Sequence, residues 1–130
     1  LIVIDTSALL AILQDEPQAT ECRSAVASAT DILIAAPTLA EVMIVATGRE
    51  LHGEMAALIA DLSLKVTPLT EDRAHAALRA YVIWGKGYHR AKLNICDSFA
   101  YALAREFACP LLYVGNDFAQ TDVVSALSPR

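Results

Sequence analysis

Four acidic residues stand where a charge is costly. Asp5 directly follows LIVI, an apolar, β-branched run of the kind that forms a strand buried on both faces, where an unpaired carboxylate is expensive. Glu41 falls in PTLAEVMIV and Asp97 in NICDSFAYALA, each in the first turn of an apolar helical pattern. Asp117 lies in GNDFAQTD, three residues past the apolar run LLYV. In parallel α/β sheets ligands bind beyond the carboxyl ends of the strands, and all four acids fall at that end. Four anions in one partly desolvated cleft repel one another and stay protonated unless a cation sits among them. Oxygen-only ligation favours Mg²⁺ or Mn²⁺ over Zn²⁺, which takes His or Cys. Such ions, held by carboxylates and water, equip a site to cut phosphodiesters.

Each acid also has a local explanation. TLAE (38–41) has the form of a capping box, with Thr38 as N-cap and Glu41 at the third helical position, and NICD (94–97) repeats it with Asn94 and Asp97. Carboxylates favour helix N-termini in any case. Asp117 follows Gly115 and Asn116 as a turn residue would. Asp5 resists such a reading, because nothing local offsets its position at the end of a buried strand. On the helix after Asn94, a helical wheel turns Phe99, Leu103 and Phe107 to the core and Ser98 and Arg105 away. Asp97 lies between these faces, stacked over Ala100, Tyr101 and Ala104, as a cleft wall would be.

The elements that must position these residues alternate. Strands are expected at 1–4, 32–36, 64–69 and 111–114. Helices are expected from a cap at Thr6 or Ser7 through ALLAIL, from Pro17 to about Ala29, and from Thr38 to about Glu50. Others follow from about Gly53 to Leu62, from Thr70 to about Trp84, from Asn94 to about Ala108, and in a short piece after GNDFAQTD. This order predicts a single α/β domain, a three-layer sandwich with a central, mostly parallel sheet. The glycine-flanked stretch Gly85–Lys92 reads as a mobile loop.

The chain has 130 residues, enough for one domain that buries roughly two-thirds of its unfolded surface. At 55% hydrophobic and 19% charged it is a well-filled globular chain, yet its apolar runs fall far short of the roughly 20 residues of a membrane span. LIVID carries neither a basic flank nor a small-residue cleavage site, so no signal peptide is expected. Cys22, Cys96 and Cys109 lack metal-ligand spacing and read as structural thiols of a cytoplasmic protein. The net charge of −5 speaks against a polyanionic partner, but its distribution does not. From Arg73 to Cys96 no acidic residue occurs, and this stretch holds Arg73, Arg79, Lys86, Arg90 and Lys92 with His75 and His89. It carries +5, which leaves −10 for the remainder. Such segregation can hide a phosphate-binding face, with Lys86, His89, Arg90 and Lys92 as the contacts to RNA; the alternative is a solvated loop. Trp84, Tyr88 and Tyr101 could stack on bases, although packing is their commoner use. The apolar stretches Ala8–Leu13 and Val42–Val45 exceed what one small core needs and could supply a partner face.

Together, VIDTSALL, PTLAEVMIV, LNICDSFAYALA and GNDFAQTD resemble the PIN-domain ribonucleases, specifically the VapC toxins of bacterial VapBC toxin–antitoxin pairs, from Ile2 to about Val124. The resemblance implies a PIN-like fold and a catalytic quartet of Asp5, Glu41, Asp97 and Asp117. It implies a Mg²⁺- or Mn²⁺-dependent endoribonuclease that cuts structured, tRNA-like RNA. It also implies a homodimer silenced by a VapB-type antitoxin in a heterotetramer or larger assembly. Asp5 and Asp97 would hold the first metal directly, Asp117 would hold it through water or help bind a second ion, and Glu41 would orient or help deprotonate the attacking, metal-activated water. Thr6 or Ser7 matches the family's hydroxyl after the first Asp, and Asn116 and Thr121 match supporting positions in the fourth block. A phospho-receiver needs an acid pair after the first strand and a Lys after the last; Thr6, Ser7, Val114 and Gly115 stand there instead. A haloacid-dehalogenase-type phosphatase needs a second Asp at the position of Ser7. The remaining alternative is a non-catalytic PIN-fold module that binds RNA or antitoxin.

Overall fold

The structure, a computed structural model, describes residues 1–127. Its elements run β1 (Ile2–Ile4), α1 (Thr6–Leu13), α2 (Ala19–Ser28), β2 (Ile32–Ala35), α3 (Ala36–Gly48), α4 (His52–Asp61), β3 (Lys65–Thr67), α5 (Glu71–Trp84), α6 (Ile95–Glu106) and β4 (Leu111–Leu112), followed by a 3₁₀ turn, Phe118–Gln120. The four strands form one sheet in the order β3-β2-β1-β4, all parallel. β1 is central, with Ile2 opposite Ile32 and Val3 opposite Leu33 on one side, and Val3 opposite Leu111 on the other.

Alternation along the strands sorts the core into two layers. Ile2, Ile4, Ile32 and Ile34 turn to one face and pack with Leu9, Ile12, Val42 and Met55. Val3, Leu33 and Ala35 turn to the other and pack with Ala80, Leu93, Ala100 and Leu103. Helices cover both faces, so the three-layer α/β architecture holds. Arg73 fastens the second helical layer: its Nε and Nη2 donate to the two Glu106 oxygens at 3.0 Å each, joining α5 to α6. One cation of the basic stretch is therefore held in an ion pair.

Several expected boundaries move, each for a tertiary reason. Asp5, not Thr6 or Ser7, caps α1, because the helix starts the moment β1 ends. α3 likewise follows β2 with no loop and carries Pro37 in its first turn, so it begins at Ala36 and the Thr38–Glu41 capping box does not form. Thr38 is instead fully buried, and its Oγ1 has no hydrogen-bond partner among the described residues. The last strand stops at Leu112. No helix follows GNDFAQTD among the described residues; there the chain returns along β4, with Leu111 bridged to Ser125, and any part of that expected helix at 128–130 lies outside them. On α6, Ser98 is fully buried while Phe107 is exposed, the reverse of the wheel, because Ser98 tucks its hydroxyl onto the Asn94 carbonyl at 3.1 Å.

The stretch Gly85–Lys92 is a closed loop rather than an open one. Lys86 N–H donates to Leu93 O, Leu93 N–H to Trp84 O, and His89 N–H to Gly85 O. Gly85 has no substitute here, since a Cβ would stand 2.4 Å from the Tyr81 carbonyl oxygen. The two apolar stretches singled out as surplus are mostly interior: Ala8 to Ile12 are buried and Val42 is fully buried, leaving Ile44 as the outward residue.

Truncating Ile4, fully buried in the first core layer, should lower stability by roughly 2–5 kcal/mol in urea unfolding. Ile44→Ala, at a position 71% exposed, should change it by no more than about 0.5 kcal/mol.

Candidate active site

Asp5 and Asp117 follow the neighbouring strands β1 and β4, Glu41 lies in the second turn of α3, and Asp97 in the first turn of α6. All four belong to the carboxyl-terminal edge of the sheet. Asp5 is 4% exposed. Its Oδ2 accepts from Ser7 N–H at 3.0 Å and Ser7 Oγ at 2.7 Å, and Ser7 Oγ in turn accepts from Val114 N–H at 3.0 Å. One serine thus ties the first acid to the end of β4. Thr6 Oγ1 donates to Glu41 Oε1 at 2.5 Å, across 35 residues of chain. Both hydroxyls after Asp5 therefore serve an acid, one each.

Asp97 is set by a capping box. Its backbone N–H donates to Asn94 Oδ1 at 2.7 Å, and its Oδ2 accepts from Asn94 N–H at 2.9 Å. For this acid the local explanation holds, and the box also fixes a carboxylate that feels the charges of Asp5, Glu41 and Asp117. Gly115, at φ +102°, turns the chain after β4 toward Asn116 and Asp117, a conformation that glycine adopts freely. Asn116 and Asp117 are exposed. Thr121 braces its own turn, donating to Phe118 O at 2.7 Å and accepting from Val123 N–H at 3.2 Å.

The acids act on one another electrostatically. Burial pushes the Asp5 carboxyl above its ordinary range, the Ser7 hydrogen bonds pull it back, and Glu41 raises it further. Burial likewise pushes Asp97 up to about 7; the Asn94 amide opposes this, and Asp5, Glu41 and Asp117 all add to the rise. A sulfur the sequence reading assigned to structure also belongs here. Burial and the nearby Glu41, Asp97 and Asp5 push the Cys96 thiol up to about 11, and it lies within hydrogen-bonding reach of Glu41. Its position beside Asp97 was the only signal of this in the sequence.

The donors fit a hard divalent cation: carboxylates and hydroxyls, partly desolvated and short of positive charge. Among the described residues no group of three or more His, Cys, Asp or Glu side chains is arranged to hold a metal ion by itself. Mg²⁺ keeps several of its waters and takes only one or two carboxylates directly, so Asp5 and Asp97 are the residues that would hold it. Of the cations singled out beside the site, Lys86, Arg90 and Lys92 are exposed. His89 is half-buried, its Nδ1 accepting from Ala91 N–H at 2.9 Å and its ring edge-on to Trp84 at 4.7 Å. Lys86 lines one pocket with Asn94, the residue that caps Asp97. Tyr88 is exposed against Tyr81, while Tyr101 is buried.

A central parallel sheet covered on both sides, with four acids at its carboxyl edge, places the chain among the PIN domains, whose family model matches residues 2–124. Within that family it belongs with the VapC ribonucleases: it is 44% identical to Ribonuclease VapC36 of Mycobacterium tuberculosis over 127 residues, covering 93% of this chain and 90% of that one. Two solved structures share the fold. Mycobacterium tuberculosis VapC20, described as a sarcin-ricin loop cleaving toxin, aligns with a TM-score of 0.79 at 17% identity over 98% of this chain and 100% of that one. A toxin–antitoxin complex from Klebsiella pneumoniae aligns at 0.73 and 18% identity over 99% and 100%.

The elevated Asp97 carboxyl has a pH signature. In the metal-free protein the unfolded chain releases this proton near pH 4 and the folded chain near pH 7, so stability falls as pH rises through that window. Asp97→Asn should raise the melting temperature at pH 7.5 by roughly 3–6 °C, on the scale of about 1 kcal/mol for a chain of this size, and leave it unchanged at pH 4. Millimolar Mn²⁺ should stabilise the wild type at pH 7.5 and the variant far less.

Proposed function

We propose that the protein is a divalent-metal-dependent endoribonuclease, the toxin of a VapBC pair, acting on structured, tRNA-like RNA. The observation that carries this reading is the gathering of four carboxyls from separate elements at one sheet edge, where burial first and then acidic neighbours raise Asp5 and Asp97. Mg²⁺ or Mn²⁺ would be held by Asp5 and Asp97, with Asp117 at its outer side, where it would supply positive charge to the phosphoryl oxygens and lower the pKa of water. Ser7 orients Asp5, Asn94 orients Asp97, and Thr6 holds one oxygen of Glu41, whose carboxylate would orient or help deprotonate the attacking water. The loop cations Lys86, Arg90 and Lys92 would draw the RNA backbone toward the cleft, with His89 supporting the loop from within.

A VapB-type antitoxin is the partner this family reading implies, and the toxin–antitoxin complex among the structural neighbours supports it. A homodimer is supported by exposed apolar residues on α5, with Leu78 at 59%, Val82 at 48% and Ile83 at 57%, continued by Ile95 at 66%. Among the described residues no helix is long and apolar enough to cross a membrane. The cytoplasm is the compartment we propose.

Purified protein with Mn²⁺ should cut total RNA to 5′-phosphate and 3′-hydroxyl ends. Asp5→Asn should lower cleavage by about a hundredfold or more while antitoxin binding survives. A wild type that binds antitoxin or RNA but cuts nothing would return the assignment to a binding module. Reversing charge at Lys86 and Arg90 together should weaken RNA binding and reduce the log–log salt slope by roughly 1.5, at about 0.7–0.9 per lost phosphate contact.

A further inference from the structure

Beyond the acids, a line of polar side chains crosses the second face of the sheet. Tyr101 lies one turn past Asp97 on α6 and is 8% exposed. Its hydroxyl accepts from Trp84 Nε1 at 3.0 Å and donates to Asp122 Oδ1 at 2.5 Å. Trp84 ends α5 at the root of the basic loop and packs its ring against His89. Asp122 ends the segment that opens with Asp117 and turns through Phe118–Gln120. A buried phenol needs one hydrogen-bond partner, and a Phe would fill the same space. Here the hydroxyl takes two partners, one from the end of α5 at the root of the basic loop and one from the segment that begins at Asp117. Arg105, on the same helix, stands 3.9 Å from the other Asp122 oxygen and closes the line from outside.

We propose that Tyr101 is a positioning residue: its hydroxyl, joining Trp84 to Asp122, sets the basic loop and the Asp117 segment at their working distance from Asp97. The proposal rests on the nuclease reading above for the use of that geometry. The hydroxyl contributes through placement, since neither Tyr101 nor Asp122 belongs to the acid quartet. Loss of the link leaves the core filled and lets the two segments relax independently. Asp117 then no longer faces the other acids as it did, and the loop cations lose their common register.

Tyr101→Phe tests this with three readouts. Trp84 is the protein's single tryptophan, so its emission reports directly on the broken link and should shift. Half-saturation by Mn²⁺, followed by thermal shift without RNA, should rise about fivefold, the scale of one net hydrogen bond. The kcat for RNA cleavage, measured well below the melting temperature, should fall by about tenfold, more than KM changes. Asp122→Ala, at an exposed position, should reproduce these effects should Tyr101→Phe fold poorly, and Asp122→Asn, which keeps an acceptor oxygen, should restore most of the loss. A lowered melting temperature with Mn²⁺ half-saturation and kcat unchanged in both variants would overturn the proposal and leave the nuclease reading intact. A wild type that neither binds Mn²⁺ nor cleaves RNA would overturn both.

Discussion

Burial and mutual repulsion of carboxylates at one sheet edge govern the rest of this molecule. Asp5 is nearly sealed from solvent, and Asp97 is held up to about 7 by burial and three acidic neighbours. In such a cluster three of the four members are held by hydrogen bonds to neighbouring groups, while Asp117 is exposed. Ser7 takes one oxygen of Asp5, Thr6 one oxygen of Glu41, and the Asn94 amide one oxygen of Asp97. Burial and acidic neighbours disfavour the charged forms of Asp5 and Asp97, so the arrangement is a stability burden that a cation would relieve.

What withstands it is the division of the core. β1 sits in the middle of the sheet, apolar on both faces, and Ile2 and Ile4 pack one way while Val3 packs the other. Helices α1 and α3 begin within a residue or two of the strands that precede them, so their first turns are carried rigidly to the edge where the acids gather. Rigid placement replaces attraction as the means of holding like charges together. The second layer adds its own fasteners, the two-point Arg73–Glu106 pair and the Trp84–Tyr101–Asp122 line.

Outside the cleft, the acidic chain presents two surfaces of different kind. Its basic loop is closed by backbone hydrogen bonds, which leaves Lys86, Arg90 and Lys92 outward and spends His89 on the interior. A loop ordered in advance loses less freedom when a phosphate backbone settles on it than an open one would. Along α5 the exposed Leu78, Val82 and Ile83 form an apolar ridge, the kind of surface that isolated soluble domains cover with a partner.

Much of this was written in short-range pattern. The strand at Ile2–Ile4, the helix beginning after Asn94, the Asn94–Asp97 box and the identity of the four acids all follow from spacings of a few residues, because capping and alternation are local geometry. The parallel sheet followed from the alternation of elements. What spacing could not carry was anything decided by which elements become neighbours. Thr38 looked like a cap and is a buried core residue, since α3 starts directly from β2; Ser98 looked outward and is sealed; Cys96 looked structural and stands among the acids. The reach of Thr6 to Glu41 and of Tyr101 to Asp122 exists only because the sheet orders its strands β3-β2-β1-β4. The chain alone determined which groups could do chemistry, and the tertiary fold decided which of them meet, because contact between distant residues depends on strand order and helix packing rather than on their separation in sequence.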